Sequence, residues 1–196
     1  MATMISNSAR TAVTVFFLLL HPVGTSVAEE PTGKYVDDKY DFSITVSDTW
    51  KKARLQDYTV PGMARTAYSK SAGASIVLFV QEPGQAFEPR FLVDESAKSI
   101  EKNLGATVRE KEVRTVSGKK AMWLIVEGKG TGGAIDGKGS IKTSQHWVAI
   151  PREKDVIVAL LTSPTTEFAE NAKTFAESLK TLVVGGKQTE AQSESK

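Results

Sequence analysis

The chain has no cysteine among its 196 residues. Disulfide bonds, thiol nucleophiles, cysteine-based metal sites and a lipid anchor on a cleaved N-terminal cysteine are therefore excluded. Histidine is nearly as scarce, with only His21 and His146. A strong excess of one charge is missing too: 25 basic and 23 acidic residues argue against a nucleic acid or an anionic membrane as the partner.

A hydrophobic run long enough to span a membrane is also absent. A span needs about 20 apolar residues, whereas the run at 12–20 ends at His21. A basic residue (Arg10), this short run and the small residues up to Ala28 form the pattern of a secretory signal peptide. We predict that Met1–Ala28 is such a peptide, cleaved after Ala28; the alternative is a retained anchor.

Cleavage would change the chemistry of the chain. It removes Arg10 and no acidic residue, which leaves 24 basic and 23 acidic residues, and it leaves His146 as the single histidine. A metal site built from several histidines is then impossible. Export without cysteine favours a periplasmic or secreted location.

Roughly 168 residues follow the signal peptide, enough for one domain with one core. A polar segment at 29–34 predicts a flexible lead-in, and the apolar-poor segment at 185–196 predicts a disordered tail. A single domain is predicted between them, at 35–184. No internal repeat is visible in the sequence.

Apolar periodicity predicts an α+β fold: a largely antiparallel β-sheet flanked by two helices, in the order βββαββββα. The densely charged strand at 108–116 suits a sheet edge, and the wholly apolar strand at 156–161 suits the centre. Tyr35-Val36 is a possible short partner for the first strand. The predicted strands lie at 42–50, 65–69, 75–81, 108–116, 121–126, 140–150 and 156–161; the helices lie at 89–104 and from 163–166 to 182.

The segment 128–133, GKGTGG, matches the glycine pattern of nucleotide-binding loops. A dinucleotide site needs a helix directly after these glycines, and a strand follows instead. A kinase loop needs a lysine where Pro151 stands. The segment therefore predicts a flexible hairpin tip, at which Lys129 and Lys138 could meet a partner.

His146 and Trp147 are neighbours on a predicted strand and should point to opposite faces. A lone histidine can act as a general base, but the sequence identifies neither a nucleophile nor an orienting carboxylate for it. We therefore predict no catalytic residue, no metal site and no cofactor. An oxygen-only cation site at the Asp37, Asp38 and Asp41 cluster stays open beside the simpler interpretation of a turn.

The three tryptophans, Trp50, Trp123 and Trp147, are most simply core or sheet-face residues. If two of them border a gap between the sheet and a helix, they would line a small apolar pocket. Together with His146, Lys129 and Lys138, they make up the candidate ligand or partner surface.

The segment 40–50, YDFSITVSDTW, resembles the first strand of the PsbP-like and DcrB-like families, which open on F-S-I-x-x-P-x-x-W. Ser47 stands where the family has proline, and the glycine-rich tip is longer than expected. The resemblance covers roughly residues 35–184 and implies the PsbP-like α/β/α sandwich. The other segments that carry it are 116–121, 145–147 and 156–164, with Phe175 and Leu179.

The resemblance also implies an accessory role without catalysis, because bacterial members are envelope proteins and plant relatives assist photosystem II. We expect an exported binding protein of the cell envelope that acts through protein partners, with no membrane-spanning segment after cleavage. The alternative is a small-ligand-binding protein or hydrolase with a pocket near His146 and Trp147.

Overall fold

The computed structural model describes residues 33–55, 63–71, 73–128 and 142–185. The predicted signal peptide, residues 29–32 of the lead-in, Lys129, Lys138 and the tail after residue 185 lie outside the described residues. None of the helices described is long and apolar enough to cross a membrane. The strands are β1 (Lys34–Asp37), β2 (Phe42–Thr45), β3 (Lys51–Lys52), β4 (Ala64–Ser71), β5 (Ala74–Gln81), β6 (Thr107–Val116), β7 (Lys119–Glu127), β8 (Thr143–Pro151), β9 (Val156–Pro164) and β10 (Val183–Val184); the helices are α1 (Pro89–Ser99) and α2 (Phe168–Lys180).

Seven of the strands form a large antiparallel sheet in the order β3-β4-β5-β9-β8-β7-β6. β9 is its central strand and is buried along its whole length, as its apolar sequence predicts. β6 is an edge strand, as its alternating charges predict. α1 packs on β6, β7 and β8 at one face of the sheet, and α2 packs mainly on β9 at the other.

The remaining strands form a small antiparallel sheet in the order β1-β2-β10. Phe42, Ile44 and Val184 of this sheet join α2 in the core at the same face of the large sheet. The first and the last described strands therefore both hydrogen-bond to β2. This sheet includes the strand suggested at Tyr35-Val36.

The predicted fold class is confirmed, and the predicted order of three strands, a helix, four strands and a helix is present with the short strands β1, β3 and β10 added and several boundaries moved. The first strand ends at Thr45 rather than near Trp50, because Ser47 and Thr49 turn the chain through their hydroxyl groups and the Trp50 amide donates to the Ser47 carbonyl. Ser163 and Pro164 end β9 rather than start a helix.

Local chemistry explains where α1 begins and ends. Pro89 occupies its first turn, where a missing amide hydrogen costs nothing. The helix continues as a π-helical turn, Ile100–Leu104, and stops at Gly105, which has the left-handed φ of 58° that favours glycine. Both ends agree with the helix predicted at 89–104.

Candidate functional site

His146 lies on β8 and points to the α2 face of the large sheet. It is 2% exposed, and its ring packs edge-on against two aromatic rings, with centroids 4.0 Å from Trp123 and 5.2 Å from Phe175. Within the described residues, neither ring nitrogen has a hydrogen-bond partner. No carboxylate or hydroxyl of that part of the chain therefore orients His146 as a general base.

Burial, together with the smaller effect of the nearby positive charge of Arg114, lowers the pKa of His146 to about 4. The imidazole is therefore neutral at pH 7. A base this weak would abstract a proton poorly at neutral pH, because general bases work best with a pKa near the working pH.

Arg114 extends this group of rings to the surface. Its guanidinium carbon lies 4.2 Å from the Trp123 ring centroid in a cation–π contact. Glu110 and Glu112 of the same strand both accept hydrogen bonds from Arg114. Arg114, Trp123, His146 and Phe175 form a continuous column, here called the aromatic stack, which runs from the exposed edge of β6 to the core beneath α2.

Trp147 points to the opposite face, as predicted. It packs edge-on against Phe79 with centroids 6.3 Å apart, and its indole N–H donates to the Gln145 side chain. Trp147 also lines a cavity of about 20 Å³ beneath α1, with Phe79, Leu92 and Ser96 among the other lining residues. That volume holds about one water molecule, so the cavity is too small for an organic ligand.

Trp50 is fully buried on the α2 side of the large sheet. Trp123 is half-buried on that same side, while Trp147 lies on the other. Neither Trp50 nor Trp123 lines the cavity at Trp147. The three predicted tryptophans therefore do not meet around that cavity.

Asp37 serves as a structural anchor within the acidic cluster. Its carboxylate accepts hydrogen bonds from Arg65 Nε at 2.5 Å, the Tyr35 hydroxyl at 3.0 Å and the Tyr40 amide at 3.1 Å. Burial alone would raise the pKa of Asp37, but these three hydrogen bonds outweigh it and hold the pKa below its usual value. In the described part of the chain, no group of three or more acidic or histidine side chains could hold a metal ion.

The outward face of the small sheet carries two exposed apolar side chains. Val36 and Val183 both pair with Ser43 of β2, from opposite sides, so the three residues form one row across the sheet. Val36 is 53% exposed and Val183 is 50% exposed. Lys34 and Thr45, paired with each other, lie on the same face.

Sequence reasoning missed this row and the role of Arg114. β10 is too short to show a period. The alternating charges of 108–116 indicate an edge strand and do not by themselves indicate a contact between Arg114 and an aromatic ring. A signal for it was present: a two-residue turn at Ser117-Gly118 pairs Arg114 with Ala121 and Glu112 with Trp123, which places Arg114 diagonally next to Trp123.

Comparison with known proteins identifies the fold of this chain through solved structures. No family model matches the chain, and no curated protein matches it. The solution structure of the cyanobacterial PsbP protein CyanoP from Synechocystis sp. PCC 6803 is similar over 84% of this chain and 99% of its own, with a TM-score of 0.54 and 10% identity.

Two other solved structures agree. A protein from Bacteroides thetaiotaomicron VPI-5482 has a TM-score of 0.52 and 11% identity over 81% of this chain and 50% of its own. A Pseudomonas aeruginosa protein of unknown function has a TM-score of 0.50 and 17% identity over 78% of this chain and 96% of its own. At such identities the likeness carries the fold alone. The chain has a PsbP-like fold, as its sequence motifs predict.

Proposed function

We propose that this chain is an exported, non-enzymatic accessory protein of the cell envelope that works by binding a protein partner. The single observation that carries the proposal is the row of Val36, Ser43 and Val183 on the outward face of the small sheet. Two half-exposed valines flank Ser43 on an otherwise polar face, and apolar surface rimmed by polar residues supports a role in protein binding.

The chemistry of this face indicates the kind of partner. Lys34 lies on the same face as the two valines, one row away along β1. A partner that presents an apolar side chain next to a carboxylate would match both features, because contacts of opposite charge around an apolar centre give an interface its specificity.

The contacts of His146 and Trp147 favour binding over the alternative of a small-ligand protein or hydrolase. His146 has no orienting partner in the described part of the chain, and the cavity beside Trp147 has room for about one water molecule. Export rests on the predicted signal peptide, Met1–Ala28.

The test expresses the full chain with an affinity tag at its C-terminus and recovers it from the envelope fraction. We expect its N-terminal residue to be Glu29 and a protein partner to be retained with it. Val36→Lys together with Val183→Lys should reduce retention at least tenfold, because two buried apolar contacts of about 1 kcal/mol each would be lost. Leu55→Lys is the matched control, since Leu55 is a similarly exposed apolar residue beside the other sheet.

Equal retention by the double variant and the wild type would reject the small-sheet surface. Absence of any retained partner, together with turnover of a small substrate by the purified chain, would reject the function. Recovery of the whole chain with Met1 in the cytoplasm would reject export.

A further inference from the structure

β6 is the end strand of the large sheet, and none of the described strands pairs with its outer edge. It has ten residues, which makes it the longest strand described. The free backbone groups of an edge strand are a template for another strand. The side chains of β6 decide which second strand can pair with this edge, because the two sets of side chains lie opposite each other.

A β-bulge between Val108 and Glu110 interrupts the pairing of β6 with β7. The regular part of β6 is therefore Glu110–Val116, seven residues with Val113 at the midpoint. Within it, Glu112 and Arg114 point to the α2 side of the sheet, where Arg114 covers Trp123. Val113 points to the α1 side.

Two copies of one strand can pair edge to edge around a two-fold axis perpendicular to the sheet. In antiparallel pairing, opposed residues share a face, so one residue of β6 must lie opposite its own copy. Centring on Lys111 opposes two lysines, and it also opposes Glu110 to Glu112. Centring on Glu112 or on Arg114 opposes two like charges directly, which is destabilising.

Centring on Val113 removes every like-charge contact. Val113, which is 37% exposed, then faces its own copy. Glu112 faces Arg114 of the second copy, and by symmetry this ion pair occurs twice. Lys111 faces Thr115. The midpoint of the regular segment coincides with this register, so all seven residues take part.

We propose that two copies of this chain pair antiparallel through Glu110–Val116 of β6, with Val113 on the two-fold axis, and join their large sheets into one continuous sheet. The alternating charges have two effects. They oppose like charges in every register centred on a charged residue of this segment, and they match in the register centred on Val113. The pairing uses a different strand from the small-sheet surface and does not depend on the proposed function.

The oligomeric state tests the pairing. In sedimentation of the chain from residue 29 onward, we expect a monomer–dimer equilibrium between about 1 and about 500 μM, the range expected for a short interface. Glu112→Arg would place an arginine opposite Arg114 of the second copy, at two symmetric positions in the dimer. This variant should be a monomer. Arg114→Glu would place a glutamate opposite Glu112 of the second copy, so this variant should also be a monomer. An equimolar mixture of the two variants should dimerise again, because each mutated side chain then meets its opposite charge.

A cross-link gives an independent readout in a chain that has no native cysteine. Val113→Cys should form an intermolecular disulfide under mild oxidation, since residues opposite each other in an antiparallel pair lie within disulfide reach. Lys111→Cys should not, because it would face Thr115 rather than its own copy. Circular dichroism of each variant checks that the fold is retained.

Three results would overturn the proposal: a wild-type monomer throughout the concentration range, charge variants that dimerise as the wild type does, or equal cross-linking at positions 111 and 113. Failure of the partner retention described above would leave these outcomes unchanged.

Discussion

His146 shows how a single buried residue can make stability depend on pH. Its ring lies between Trp123 and Phe175, and the positive charge of Arg114 on β6 acts on it. The folded pKa, about 4, is below the ordinary value of 6.5. Between these values the unfolded chain binds a proton that the folded chain does not, so the contribution of His146 is present above pH 6.5 and is lost as the pH falls towards 4.

We predict that the free energy of unfolding falls by about 2 kcal/mol between pH 7 and pH 5 because of this residue. His146→Phe keeps an aromatic ring in the stack but cannot be protonated, so its unfolding free energy should change less over the same range by about that amount. Urea titrations at both pH values measure the difference. Equal pH dependence in the two proteins would show that His146 is protonated in the folded state as readily as in the unfolded state.

Single residues also show which contacts of the site can be predicted from the sequence and which cannot. The opposite orientations of His146 and Trp147 follow from the two-residue period of a strand, and the sequence predicts them. The aromatic stack does not follow in that way, because Phe175 reaches His146 from a helix more than twenty residues later in the chain. Local periodicity predicts which face of α2 is apolar, whereas the strand beneath that face is fixed only by the tertiary fold.

At the scale of elements, the small sheet is held to the large one by an ion pair. Arg65 of β4 donates to Asp37 of β1, and the Asp37 side chain is only 2% exposed. The same guanidinium group lies over the Tyr40 ring, with its central carbon 4.9 Å from the ring centroid. Because Asp37 is buried, removal of Arg65 would leave an unpaired buried charge.

We predict that Arg65→Met lowers the free energy of unfolding by about 2–4 kcal/mol, and that Asp37→Asn in the same chain restores part of it because no charge is then left unpaired. Lys98→Met is the matched control. It removes an exposed ion pair with Glu95 and should cost less than about 0.5 kcal/mol. If denaturant unfolding gives the same loss for both single variants, the Asp37 contact is no stronger than an ordinary surface pair.

Long elements are the part of the fold that the sequence predicts well. β9 is recognisable from an unbroken apolar run and α2 from apolar residues at helical spacing, and each buries enough surface to fix its own place. β3 and β10 have two residues each and show no period. They are strands only because neighbouring backbone supplies their hydrogen bonds, which a sequence pattern does not reveal.

For the whole molecule, the strand that closes the core comes from the end of the described chain. Leu182 and Val184 are almost completely buried against the core beneath α2. The Gly185 amide also donates to the Asp41 carbonyl at 2.9 Å. The last few described residues are therefore part of the hydrophobic core.

We predict that a chain ending at Thr181 loses about 3–5 kcal/mol of unfolding free energy, the value of burying one leucine and one valine. A chain ending at Gly185 should be as stable as the full chain, because it keeps every buried residue described. Thermal and denaturant unfolding of the two truncated chains make the comparison. Equal stability would mean that β10 adds nothing to the core.

The placement of β1 and β10 on either side of β2 brings the two ends of the domain close together. Lys34 and Val184 are separated by two strand spacings and about three residues of register, which is about 14 Å. A linker of about five residues could bridge that gap. The sequence could then be circularly permuted, with new termini at the Ser117-Gly118 turn, and every strand pairing except that hairpin connection would be preserved. The order of these elements along the chain could therefore change without a change in the sheets that they form.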